Sequence, residues 1–213
     1  MSTGVLQQKP GTGGTLGRGP AGITPGDGGS GDGAPGIIGD TARFGLWAFL
    51  GTISMLFIGF TSAYLIRRAS VDWRPLSPPW ILWANTAALL ASSVTLEAAR
   101  KRLREWDVRG LFPWVAATGT LGLLFLAGQV MAWRILAGQG VFLASNPHNS
   151  FFYMLTGLHG LHLLGGLVWL AAVLVQVRRM AYTPGEDGLR LFATYWHFLG
   201  ALWLYLLVLL FVL

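Results

Sequence analysis

The chain has 213 residues, of which 53% are hydrophobic and only 11% charged, with a formal net charge of +6 and no cysteine. Soluble domains carry nearer a quarter charged residues, so this composition excludes an ordinary soluble enzyme and a disordered chain. Without cysteine it also excludes a disulfide scaffold, a thiolate metal site and an iron–sulfur protein.

Residues 1–40 hold 14 of the 30 glycines and four prolines, but only nine hydrophobic residues. Such a segment buries too little apolar surface to offset its chain entropy, so it is expected to be a disordered tail. It lacks the basic start, apolar core and cleavage site of a signal peptide. None of its glycine patterns sits between a strand and a helix, where a phosphate-binding loop would.

Beyond Asp40 come long uncharged runs: Phe44–Ile66, Trp80–Leu96, Leu111–Trp133, Ser150–Val177 and Leu191–Leu213. A hydrocarbon core of ~30 Å needs ~20 helical residues at ~1.5 Å each. No run alternates polar and apolar residues as a membrane barrel strand does, and backbone amides in lipid must bond internally. The expected architecture is therefore all-α, a five-transmembrane-helix bundle over residues 41–213, with helices at about 44–66, 80–99, 111–134, 150–178 and 191–213.

With the N-terminus on the cytoplasmic side, eleven of the 15 Lys and Arg residues face inward. Arg67, Arg68, Arg74 and Arg134 face outward. That asymmetry predicts a multi-pass protein oriented N-in, C-out. The positive charge is then a matter of topology, and no nucleic-acid surface is expected. Trp73, Trp80, Trp83 and Trp133 near one set of helix ends, with Trp47, Trp106, Trp114 and Trp196 near the other, read as interfacial belts. Trp169 and Trp203 lie deeper and are expected to pack against neighbouring helices. Small residues at close spacing (Ala84/Ala88, Ala87/Ala91, Gly157/Gly160, Gly165/Gly166) are expected to let backbones approach.

Ionisable groups inside a membrane are functional candidates because desolvation is costly. Here they are His159 and His162, three apart on one face of the fourth helix, and His197 on the fifth. Glu97 and Arg134 sit at helix ends, where snorkelling accounts for them. Asn85, Gln129, Thr156 and Tyr195 are neutral polar groups within spans. Two readings of the histidines stand. One is ligation of a metal or haem, for which His162 and His197 lie at compatible depth. The other is hydrogen bonding across helix interfaces. A structural metal site needs four donors and a catalytic one three plus water, and two histidines at i, i+3 do not bracket a haem. No catalytic triad or carboxylate pair is available, because the span interiors hold no Asp or Glu. The chain is expected to hold no catalytic, metal or cofactor site of its own.

The words themselves carry a resemblance. Residues 151–169 read FFYMLTGLHGLHLLGGLVW, 195–203 read YWHFLGALW, 44–66 read FGLWAFLGTISMLFIGFTSAYLI and 122–133 read GLLFLAGQVMAW. This set, in this order, resembles subunit III of the haem–copper terminal oxidases, cytochrome c oxidase type, over roughly Arg43–Leu213. The resemblance implies a chain without redox centres that packs beside catalytic subunit I, which holds haems and a copper, together with subunit II and further subunits or a respiratory supercomplex. It implies bound phospholipid, support of proton uptake and protection of the catalytic subunit, in a complex that oxidises cytochrome c, reduces dioxygen to water and pumps protons. The chain looks like the five-helix form, lacking the first two of seven helices.

Three carboxylates common in the family are absent at matching positions, which hold Ile53, Ala132 and Gly200. The residues carried over are Thr156, Gly157, His159, Gly160, His162, Tyr195, Trp196 and His197, as helix-packing and hydrogen-bonding groups. Alternatives to the leading reading are subunit III of a quinol oxidase or nitric oxide reductase and, in a different class, a small haem-b membrane cytochrome.

Overall fold

A computed structural model describes residues 36–73, 76, 78–105, 107–144, 146–178 and 188–212. The glycine-rich segment lies outside the described residues up to position 35. Residues 36–40, expected to belong to it, instead open the first helix.

The described residues form five helices: α1 Gly36–Arg67, α2 Ile81–Arg104, α3 Val108–Gly138, α4 Pro147–Arg178 and α5 Gly188–Phe211. All five are long and apolar enough to cross a membrane. Each extends beyond the limits expected from the sequence at one end or both, taking in charged or polar flanks such as Arg43, Arg104 and His148. A charge at a helix end snorkels to water and does not terminate the helix.

Local signals set the helix ends. Asp107 caps α3, its Oδ1 accepting from the Gly110 N–H at 2.9 Å. A Cβ at Gly110 would crowd that carboxylate in its present rotamer, so glycine here lets the cap seat closely. At the other end of α3, Gly140 takes φ +78°, a left-handed turn conformation that glycine adopts without steric cost. Asn146 then starts α4, its Oδ1 accepting from the His148 N–H at 2.7 Å, with Pro147 in the first turn, where its missing N–H costs nothing. In the α1–α2 turn, the Ser70 hydroxyl and the Arg67 guanidinium, 3.2 Å away, hold the Asp72 carboxyl below the usual range.

Helices α2, α3, α4 and α5 close a ring in which each packs on the next and α5 returns to α2. Helix α1 lies outside the ring against α4 and α5, and among the described residues it does not pack on α2 or α3. Half of the α5 span is buried, against 22% of the α1 span. The centre of the ring is aromatic: Trp196, Trp203, Phe125, Phe152 and Phe192 are sealed from the surface. Lipid tails are as apolar as these side chains, so packing and hydrogen bonds, rather than the hydrophobic effect, decide how such helices assemble.

Close approach is bought at particular glycines. A Cβ at Gly122 on α3 would stand 2.8 Å from the Trp196 ring and 2.9 Å from Leu167. One at Gly166 on α4 would stand 3.0 Å from the Tyr195 ring. Of the glycines expected from spacing, Gly166 is thus close-packed, whereas Gly157, Gly160 and Gly165 would meet their nearest neighbours at 3.8, 3.7 and 4.0 Å, ordinary contact distances. The tight notches lie where Trp196 and Tyr195 of α5 meet α3 and α4, and where Gly128 on α3 faces the Asn85 side chain of α2.

Candidate functional site

Helix α5 positions most of the polar chemistry. The Trp196 indole Nε1–H donates to Ser92 Oγ at 2.9 Å, and the Trp203 Nε1–H donates to Thr86 Oγ1 at 3.0 Å. Position numbers rise along α5 as they fall along α2, so the two helices are antiparallel. The same device joins α3 to α4, where the Trp133 Nε1–H donates to Thr156 Oγ1 at 3.2 Å. In each case the accepting hydroxyl gives its own proton to a carbonyl three or four residues back: Ser92 to Leu89, Thr86 to Leu82, Thr156 to Phe152. An indole can only donate, and a hydroxyl both donates and accepts, so each indole–hydroxyl contact satisfies both groups out of reach of water.

These contacts correct the belt reading for two tryptophans. Trp196 is sealed in the ring, and Trp133 is half-buried on Thr156. The lone indole donor is spent on a partner, which an interfacial residue would give to headgroup or water. Trp47, Trp80 and Trp83 do face outward at helix ends, more than 60% exposed. Trp106 lies outside the described residues. Trp169 packs edge-on against Phe192 and beside Tyr195.

The four histidines find four different surroundings. His159 is sealed between Phe125 and Trp203, ring centroids at 5.7 and 5.2 Å, and neither of its nitrogens has a hydrogen-bond partner among the described residues. Interhelical hydrogen bonding, expected for it, is replaced by ring packing. His162 turns toward α1, its ring 6.0 Å from Phe57, with its Nδ1 donating to the Leu158 carbonyl at 2.7 Å. The Tyr195 hydroxyl donates to the His162 carbonyl at 2.7 Å. His197 turns toward α2, its Nε2 2.8 Å from Glu97 Oε1. His162 and His197, compatible in depth as haem ligands, thus face different helices. Among the described residues, no group of three or more His, Cys, Asp or Glu is placed to hold a metal ion.

Glu97 does more than snorkel. It bridges His197 on α5 and Arg100 on its own helix, at the end of the bundle that carries the α2–α3 connection. Both side chains are over a third exposed, so the pair is worth little in stability.

The sequence reading passed over His148, which is buried at the start of α4. Its Nε2 donates to the Leu210 carbonyl at 3.1 Å, and Trp73 and Tyr64 pack around its ring at 5.1 and 6.1 Å. It thereby covers a carbonyl that the end of α5 leaves without an intrahelical partner. Its signal was the Asn-Pro-His helix start just before the uncharged run. Ser92 and Thr86 carried no signal, since a hydroxyl in a span looks the same whether or not an indole rests on it.

Ile53, Ala132 and Gly200, where family carboxylates are common, are all buried. Ala132 is wholly enclosed, and a Cβ at Gly200 would rest 3.8 Å from Ser93 Oγ. Ile53 and Ala132 are packed into the helix interfaces, while Gly200 leaves room for a methyl group.

The fold and its polar groups define a multi-pass, all-helical membrane protein. The family described as cytochrome c oxidase subunit III matches residues 36–213. The cytochrome c oxidase subunit 3 of Synechocystis is 32% identical over 197 residues, covering 89% of this chain and 82% of its own. That of Thermostichus vulcanus is 33% identical over 180 residues, covering 82% and 88%. The probable cytochrome c oxidase subunit 3 of Mycobacterium tuberculosis is 31% identical over 166 residues, covering 75% and 82%. The chain belongs to the cytochrome c oxidase subunit III family and is part of a multi-subunit oxidase complex.

Proposed function

We propose that this chain is a non-catalytic subunit of a proton-pumping cytochrome c oxidase, which passes electrons from cytochrome c to dioxygen and forms water. In this reading it braces the catalytic subunit, holds phospholipid and sustains proton uptake, while haem and copper reside on partner subunits. The observation that carries the reading is the dispersal of its histidines: ring packing for His159, backbone carbonyls for His148 and His162, and Glu97 for His197. Groups already committed to packing and to one another support a role in bracing a neighbour.

A lipid role is supported by a groove of about 380 Å³ between α3 and α4, lined by Val115, Gly119, Leu123, Leu167, Leu170 and Leu174. Its one hydroxyl, Thr120, already donates to the Ala116 carbonyl, so the groove suits an acyl chain. The charge asymmetry supports N-in, C-out orientation.

Purification of the native complex through a tag on this chain tests the proposal. Haem absorbance, a copper-containing partner and dioxygen uptake driven by reduced cytochrome c are expected together. A preparation without haem, or one oxidising quinol but not cytochrome c, overturns it.

A further inference from the structure

His162 stands at the middle of the membrane with one nitrogen committed and one not. It lies fifteen residues past Pro147 and sixteen before Arg178, about 22 and 24 Å from the ends of α4 at 1.5 Å per residue. The Leu158 carbonyl only accepts, so Nδ1 carries the proton of that 2.7 Å bond. In the neutral ring Nε2 is then a bare acceptor. It has no hydrogen-bond partner among the described residues, and the half-buried ring leaves it at the surface, unlike the sealed nitrogens of His159. The surface around it is apolar: Leu161, next in the chain, and Ile58, next to Phe57, are 62% and 64% exposed.

What can meet that lone pair is limited by depth. Headgroups lie about 15 Å away, at the edge of a ~30 Å hydrocarbon core. A second copy of this chain is poorly equipped, because its exposed hydroxyls nearest that depth, Thr52 and Thr120, already donate to Ala48 and Ala116 carbonyls, and Ser93, at mid-span of α2, is half-buried beside Gly200 of α5. Polar side chains do join helices across lipid by such bonds.

We propose that His162 Nε2 is the acceptor in an interface with a transmembrane helix of a different subunit, one that presents a hydroxyl, indole or amide N–H at the bilayer midplane. This rests on the chain's being part of a multi-subunit complex. It requires no particular electron donor or haem arrangement in that complex.

The test uses the full chain in its native membrane. A photo-crosslinking benzophenone residue at position 162 is expected to capture a transmembrane segment of another chain carrying such a donor. In parallel, His162→Leu is expected to lower partner retention in mild detergent about threefold to tenfold, the range of one interhelical hydrogen bond. His162→Gln, whose Oε1 still accepts, is expected to restore most of it. Crosslinks only to lipid, to this chain's own α1 or to a second copy overturn the proposal, and so does retention that is equal for Leu and Gln. If His162→Leu fails to fold, the crosslinked partner decides. Failure here leaves the oxidase reading standing, because that is tested by haem absorbance and turnover.

Discussion

The indole–hydroxyl contacts set an asymmetry that can be measured one residue at a time. Ser92→Ala strands the buried Trp196 N–H, and a buried donor left unmade costs about 1–3 kcal/mol. Ser93→Ala, one residue along, removes a half-buried hydroxyl and is expected to cost less than about 0.5 kcal/mol. Equilibrium unfolding in mixed micelles checks this, and equal losses would refute it. His159 makes the opposite prediction. Both of its nitrogens are sealed without partners, so His159→Leu removes buried polar atoms at similar volume, and its stability is expected to stay level or rise. A loss beyond about 2 kcal/mol in the same assay would show that the imidazole holds a bond. Trp203 was legible as a packing residue from its depth in the fifth span. Trp196 was not, because its distance from the helix end suits an interface equally well, and only the facing Ser92 decides. His159 was found as a buried group, but its surroundings depend on Phe125 and Trp203, far away in sequence.

At the scale of the helix, the spans were legible because lipid allows few alternatives: an uncharged run of about 20 residues must be helical to satisfy its own amides. Their ends were not, since Arg43 and Arg104 stay helical while reaching water. Neighbour choice was also hidden. Nothing in the sequence of α1 says that it lies outside the ring, and of the glycines picked out by spacing only Gly166 makes a close approach, while Gly122, which makes another, was not among them. Gly122→Ala would press into Trp196 and Leu167, whereas Gly157→Ala would meet Trp133 at an ordinary distance. Overpacking typically costs about 1–3 kcal/mol. Gly122→Ala is therefore expected to lower the thermal midpoint of the purified protein by several degrees and Gly157→Ala by almost nothing. The reverse order would place the helices differently.

For the whole molecule, the quantities to measure are membrane orientation and the division of labour between subunits. The chain has no cysteine, so each introduced thiol is unique. Val71→Cys, fully exposed in the α1–α2 turn, is expected to react with an impermeant thiol reagent in sealed right-side-out vesicles, and Lys101→Cys only after lysis. The opposite pattern would invert the topology. The family was legible from the histidine and tryptophan words, which the match over residues 36–213 supports. The partners were not, because they are met across surfaces that in sequence read simply as lipid-facing. The most direct test of the central claim is where the haem goes. When this chain is stripped from the purified complex with detergent, the remaining subunits are expected to keep the full Soret absorbance per mole, and the separated chain to show none. A Soret band that travels with this chain, and is lost on His162→Ala or His197→Ala, would contradict the account.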